Sequence, residues 1–226
     1  MDSAIYGVIA AIYAGLLVYG FRLWRRDHAK GPRYLLFTVT AALIWDNGLM
    51  AAGYLIGEGE TLKRLSFSRF WLHALVTPLL AVISWDLLRA AGVRWARHFA
   101  ALWGAWSFTA ALIVLELWTE VMPLRITPVH EFGALRYTSA EEPSGPPIMV
   151  MLILIPLLAA GIGLWKRKVT PLLFWGTLVM LAGSAIPLPI ESSAATNLFE
   201  LLLIASLWMS IRRLVSIQTQ PDRRPF

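Results

Sequence analysis

Cysteine is absent from this chain and charge is scarce, with only 15% of its 226 residues Asp, Glu, Lys or Arg. The first absence excludes disulfides, thiolate metal sites and cysteine nucleophiles. The second falls well short of the roughly 25% carried by soluble domains. A water-facing globule is therefore excluded. No stretch rich in Gly, Ser or charge divides the chain, so a single domain is expected. No basic segment precedes the first apolar run, so a cleaved signal peptide is not expected and the first helix is retained. Also missing are a phosphate-cradling glycine loop, a Gly-x-Ser-x-Gly elbow, an ordered Ser-His-Asp set and the repeated His motifs of di-iron or haem membrane proteins. The last apolar run has no lysine for a retinal Schiff base. Neither a metal nor a cofactor is expected.

What is present is apolar: 58% of the residues are hydrophobic. A hydrocarbon core of about 30 Å needs roughly 20 helical residues. Runs suited to that task are Ser3–Trp24, Tyr34–Ile56, Phe70–Leu88, Phe99–Thr119, Ile148–Trp165, Pro171–Ile190 and Leu198–Ile211. The expected fold is all-α, a polytopic integral membrane protein built as one bundle of seven transmembrane helices. Gly57-Glu58-Gly59-Glu60 reads as a turn, and 120–147 as one long, proline-rich polar connection. The net charge of +6 sits in short clusters beside the spans rather than on one face. Nucleic acid is thereby excluded as a partner. On alternate sides of seven spans, 15 of the 20 Lys and Arg residues fall on one side. That bias predicts an outside N-terminus and a cytoplasmic C-terminus, with the bacterial inner membrane as the expected location.

Against this background the polar residues inside the spans stand out. Asp46 and Asn47 lie near the middle of the second run, next to Trp45. A carboxylate there is expensive, roughly 2.5–3.5 kcal/mol on insertion scales, and normally faces a bundle interior or a wet cavity. His73 lies about one turn into the third run with Arg69 just before it, and Glu116, Glu191, Asn197 and Glu200 fall near the same side. Together they outline a pocket open to the outside, with Asp46, Glu191, Glu200 and His73 as candidate acids and bases. Trp45, Asn47, Arg69, Glu116 and Asn197 are candidate substrate contacts. Each has a plainer reading: interfacial carboxylates, a hydrogen-bonded histidine, a headgroup-anchoring arginine, an asparagine that glues helices. Asp86 has Arg89 three residues on and reads as a structural pair. Trp24, Trp71, Trp118 and Trp165 suit an interfacial belt.

Desolvation disfavours the charged form of a carboxyl group, so an acid in a dry pocket suits proton donation. Aromatic faces stabilise a cation in such a site. These features suit protonation of an alkene or epoxide, followed by proton removal. In size, helix count, Trp45-Asp46 in the second helix and Pro189-Ile190-Glu191 before the last, the chain resembles the small seven-helix integral-membrane isoprenoid cyclases. These are the membrane terpene cyclases and membrane-type lycopene cyclases. It differs in having Ser192 after Glu191 and Asp rather than Glu after Trp45. The resemblance implies that such acids protonate and deprotonate a polyene. The implied partners are a lipophilic small molecule or lipid substrate and the membrane lipids. Two other readings stand beside it. One is a lipid hydrolase or headgroup enzyme using His73, Asp46 and Arg69; the other is a non-catalytic carrier or proton-coupled transporter with Asp46 as its proton site.

Overall fold

The computed structural model describes residues 2–131, 133–141, 147–185 and 194–219. In chain order these form α1 (Asp2–Arg26), α2 (Leu36–Ile56), α3 (Glu60–Val76), α4 (Leu79–Ala90), α5 (Phe99–Glu116), β1 (Ile126–Glu131), β2 (Ala134–Ser139), α6 (Ile148–Lys166), α7 (Leu172–Ala185) and α8 (Ala194–Thr219). Among the described residues, five helical stretches are long and apolar enough to cross a membrane: Asp2–Arg26, Pro32–Ile56, Glu60–Ala90, Phe99–Val121 and Ile148–Lys166. Leu172–Ser184 is a shorter apolar helix. The composition and these lengths are those of a helical membrane protein. Trp71, Trp118 and Trp165 are exposed on its surface.

Helix α1 lies along α2 and α8, α7 along α6 and α8, and α4 along α5 and α6. The buried stripe of α1 is Tyr6, Ile9, Tyr13, Gly20 and Leu23, a helical spacing that keeps one face turned inward. At Gly20 there is no room for a side chain, because a Cβ there would run into the indole of Trp208 on α8. Trp208 is itself fully buried and donates its Nε1–H to Thr40 Oγ1 of α2 at 3.1 Å. Three helices are thus fixed together at one level.

Three parts differ from the sequence reading: the third helix, the long connection, and the last helix, where α8 runs from Ala194 to Thr219 rather than from Leu198 to Ile211. The third helix begins at Glu60, ten residues before Phe70, and runs with a break at Thr77-Pro78 to Ala90. Its early turns are polar, but Leu62 and Ser66 are buried there. Proline has no N–H to continue the ladder, and Thr109 Oγ1 on α5 donates to the Pro78 carbonyl at 3.2 Å. The connection read as polar coil contains an antiparallel hairpin, β1 with β2, in the register Ile126 opposite Ser139 and Glu131 opposite Ala134. The fold is therefore helical with one added hairpin. Leu135 and Tyr137 bury their side chains with Leu49 of α2 and Leu62 of α3. That apolar seam is what turns coil into strand and draws the start of α3 into helix.

The hairpin lies so close to α2 that a Cβ at Gly53 would collide with the Leu135 carbonyl. Gly53→Val is therefore expected to push the hairpin off the helix ends while the bundle persists. Limited tryptic cleavage after Arg136 should accelerate several-fold. Unchanged cleavage would show that the seam tolerates the added bulk.

At the opposite end, four charges form one network. Arg33, 1% exposed, donates Nη2–H to Asp27 Oδ2 at 2.5 Å and to the Ala29 carbonyl at 2.6 Å. Its backbone N–H reaches Asp86 Oδ2 at 3.0 Å. Asp86 Oδ1 accepts from Arg89 at 2.5 Å, the pair expected from their spacing, and Tyr34 O–H donates to Asp27 at 2.9 Å. Burial alone pushes the Asp27 carboxyl up, but the hydrogen bonds from Arg33, the Ala29 N–H and Tyr34 outweigh it and hold the group below the usual range. A depressed folded value stabilises fully above the unfolded Asp value of about 3.9 and is lost as pH falls through the folded one. The thermal midpoint in detergent should therefore drop below about pH 4, and less steeply in Asp27→Asn. Equal slopes in the two proteins would refute this role.

Candidate functional site

Asp46 sits at the middle of α2, about 15 Å from either helix end at 1.5 Å per residue. It is not alone. Arg69 Nε–H on α3 donates to Asp46 Oδ1 at 2.6 Å, with the two side chains 13% and 25% exposed. One residue earlier, Trp45 donates Nε1–H to Ser68 Oγ at 3.0 Å. The two contacts rivet α2 to α3 across neighbouring positions.

This changes several sequence-based expectations. Arg69 lies within the third turn of α3, because the helix starts at Glu60, and its guanidinium is committed to Asp46. Trp45, expected to line the pocket, is 43% exposed, and its indole nitrogen bonds to Ser68. Asp46 is an ion-paired carboxylate, not a lone acid.

Asn47 faces the interior and is fully buried. It donates Nδ2–H to the Leu43 carbonyl at 3.0 Å and accepts from Asn197 Nδ2 on α8 at 2.9 Å. Leu36, Val39, Thr40, Leu43, Asn47 and Met50 form one buried stripe of α2, so Asn47 occupies the place where that stripe meets α8. Glu200 follows Asn197 by three residues and shares its helix face. It is partly buried and within electrostatic reach of Asp46.

His73, one turn beyond Arg69, interacts electrostatically with both Asp46 and Arg69. Its Nδ1 lies 3.3 Å from Thr77 Oγ1, which orients the ring. Tyr13 completes the group. It was passed over in the sequence because a tyrosine in an apolar run reads as packing. It is 0% exposed and feels the charges of both Glu200 and Asp46. Helices α1, α2, α3 and α8 thus bring Tyr13, Asp46, Asn47, Arg69, His73, Asn197 and Glu200 into one polar group inside an apolar bundle.

Glu116 does not join it. It is buried on α5, and its charged neighbour is Glu120; among the described residues it makes no ion pair with Asp46 or Arg69. Glu191 lies outside the described residues. The hairpin also changes the expected opening, since at Gly53 it covers the end of α2 rather than leaving it clear.

Chemically the group separates two carboxyls by their partners. Asp46 is held by a guanidinium, whereas Glu200 has no cation and no hydrogen bond among the described residues. Pairs of acids in unequal surroundings are how one site carries a proton donor and a proton acceptor together. The ion pair also makes Asp46→Asn more than a chemical change, because it strands Arg69. Asp46→Asn should therefore lower the thermal midpoint in detergent, and the double variant Asp46→Asn/Arg69→Leu should recover it. A double variant no more stable than the single one would show that the pair does not act as a unit.

Comparison with protein-family profiles and with curated protein sequences gives no match. The geometry itself carries the functional reading.

Proposed function

We propose that this protein is an integral-membrane enzyme that acts on a lipophilic substrate by carboxylic acid general acid–base chemistry, in its most specific form the cyclisation of an isoprenoid. The observation that carries the reading is the presence in one polar group of Asp46, ion-paired with Arg69, and Glu200, which has no cation among the described residues. Glu200 as the acid donates its proton to an alkene or epoxide carbon or oxygen. The cation so formed cyclises, and the Asp46 carboxylate removes a proton from carbon. The substrate gains and loses one proton, so the product is an isomer. Asp46 then gives up its proton to solvent and Glu200 takes a fresh one from solvent, a return that restores the site. His73, beside Asp46 and Arg69, is placed to assist that return.

The basic residues after Trp24, Leu88, Trp165 and Ile211 support seven spans with the N-terminus outside and the C-terminus cytoplasmic, in a bacterial inner membrane. Hydrolysis or headgroup chemistry on a phospholipid is less well supported. The arginine it would need for phosphate is already paired with Asp46.

The test is incubation of the purified protein with a panel of prenyl substrates and with phospholipids, products being read by mass spectrometry. Isomers of a prenyl substrate support the proposal. Cleaved phospholipid, or saturable binding with every substrate recovered unchanged, would replace it with one of the other two readings.

A further inference from the structure

Most polar atoms in the group satisfy one another. Asn47 is bonded to Leu43 and Asn197, Asp46 to Arg69, and His73 to Thr77. The hydroxyl of Tyr13 is an exception: with those of Tyr19 and Ser84 it is one of three buried, unpartnered hydroxyls among the described residues, and of these it is the one in the polar group. Leaving a buried hydroxyl unbonded costs about 1–3 kcal/mol, and buried polar groups in native proteins nearly always have a partner. A phenylalanine would fill the same apolar space without that cost. Glu200, likewise without a hydrogen bond among the described residues, shares the charge environment of Tyr13. Gly20, Thr40 and Trp208 meet at one level, and Tyr13, Asn47 and Glu200 lie about two turns from them toward the same end, so the phenol and the carboxyl sit at one level of the bundle with their bonding capacity unused.

We propose that Tyr13 is a ligand-binding residue whose hydroxyl donates a hydrogen bond to an oxygen atom of the lipophilic substrate, so that the site selects an oxygen-bearing lipid over the corresponding hydrocarbon. The inference rests on the substrate reading above and adds to it the chemical class of the substrate. A hydroxyl, ether or carbonyl oxygen has two lone pairs. It can accept from the Tyr13 phenol and from the Glu200 acid at once, while the apolar remainder lies among the leucine and isoleucine side chains of α1, α2 and α8. A hydrocarbon leaves both groups unbonded. A site built to hydrogen-bond an oxygen rejects the analogue that lacks one for that reason.

The experiment uses the full-length protein in nanodiscs, with tritiated farnesol and its hydrocarbon counterpart farnesene as probes. Wild-type protein is expected to bind farnesol about tenfold more tightly, the worth of one well-placed hydrogen bond. Tyr13→Phe should lose that preference, keep its affinity for farnesene and unfold at the same or a higher temperature. Equal binding of the two probes by the wild type, no saturable binding of either, or a preference that survives in Tyr13→Phe would overturn the inference. The wild-type comparison stands even if the variant folds poorly. Preference for farnesol without turnover of any prenyl substrate would keep this inference and remove the catalytic reading. Turnover that needs Glu200, with no Tyr13-dependent preference, would do the reverse.

Discussion

Glu200→Gln is expected to leave the bundle folded and to lower turnover of the accepted substrate by roughly 10²–10⁴-fold, the usual contribution of a positioned general acid. The substitution keeps the size and shape of the side chain and removes the proton it donates. No cation is stranded, because none pairs with Glu200 among the described residues. This separates it from Asp46→Asn, where lost activity and a stranded Arg69 arrive together. Initial rates on a prenyl substrate, alongside thermal midpoints, give the two readouts. Activity within threefold of wild type would remove Glu200 from the mechanism.

The second large effect is on stability. Arg33→Ala is expected to cost about 3–5 kcal/mol, because it leaves Asp27 and Asp86 buried with a shared partner gone. Both acid side chains are 0% exposed. The network joins the end of α1 to α4 through the short connection at Pro32–Leu35, so its loss loosens a junction as well as a charge pair. For a chain of this size the thermal midpoint should fall on the order of 10 °C. Asp86→Ala should cost a similar amount, and the two together less than their sum, since they remove one shared contact. Simple additivity, or a midpoint unchanged by Arg33→Ala, would show that the network adds little.

The contrast between these two regions explains what could be read from the sequence. Asp46 was legible because a charge inside an apolar run is costly wherever the chain folds. Asp86 and Arg89 were legible because three residues on a helix is a contact distance. Arg33 with Asp86 was not, since 53 residues separate them and only the packing of the Pro32–Leu35 connection on α4 decides that they meet. Arg69 was misplaced by a local argument: Gly57 and Gly59 do end α2, but the polar turns after them still form helix because Leu62 and Ser66 pack inward. The hairpin was missed for the same reason. Its strands are stabilised less by their own pattern than by the seam that Leu135 and Tyr137 make with Leu49 and Leu62.

The site shows the same division. Asp46, Asn47, Asn197, His73 and Glu200 could be singled out one by one, each as a polar residue in an apolar setting. That they share one interior region depends on α8 lying beside α1 and α7 while Asn197 reaches α2. Tyr13 carried no signal in the chain. An unpartnered hydroxyl is a feature it shares with Tyr19, and what sets it apart is its complete burial at the level of Asn47 and Glu200.

The most direct measurement is the isotopic content of the product formed in heavy water. In the mechanism above, one proton enters from Glu200, which exchanges with solvent, and one leaves a carbon of the substrate to Asp46. With a substrate protonated at an alkene carbon, where the label cannot exchange out, product made by the purified protein in deuterium oxide should be an isomer of the substrate, about 1 Da heavier than that made in ordinary water, and its yield should fall in Glu200→Gln as turnover does. An isomer with no deuterium, or a product that has gained water or lost a headgroup, would contradict acid–base cyclisation at this site.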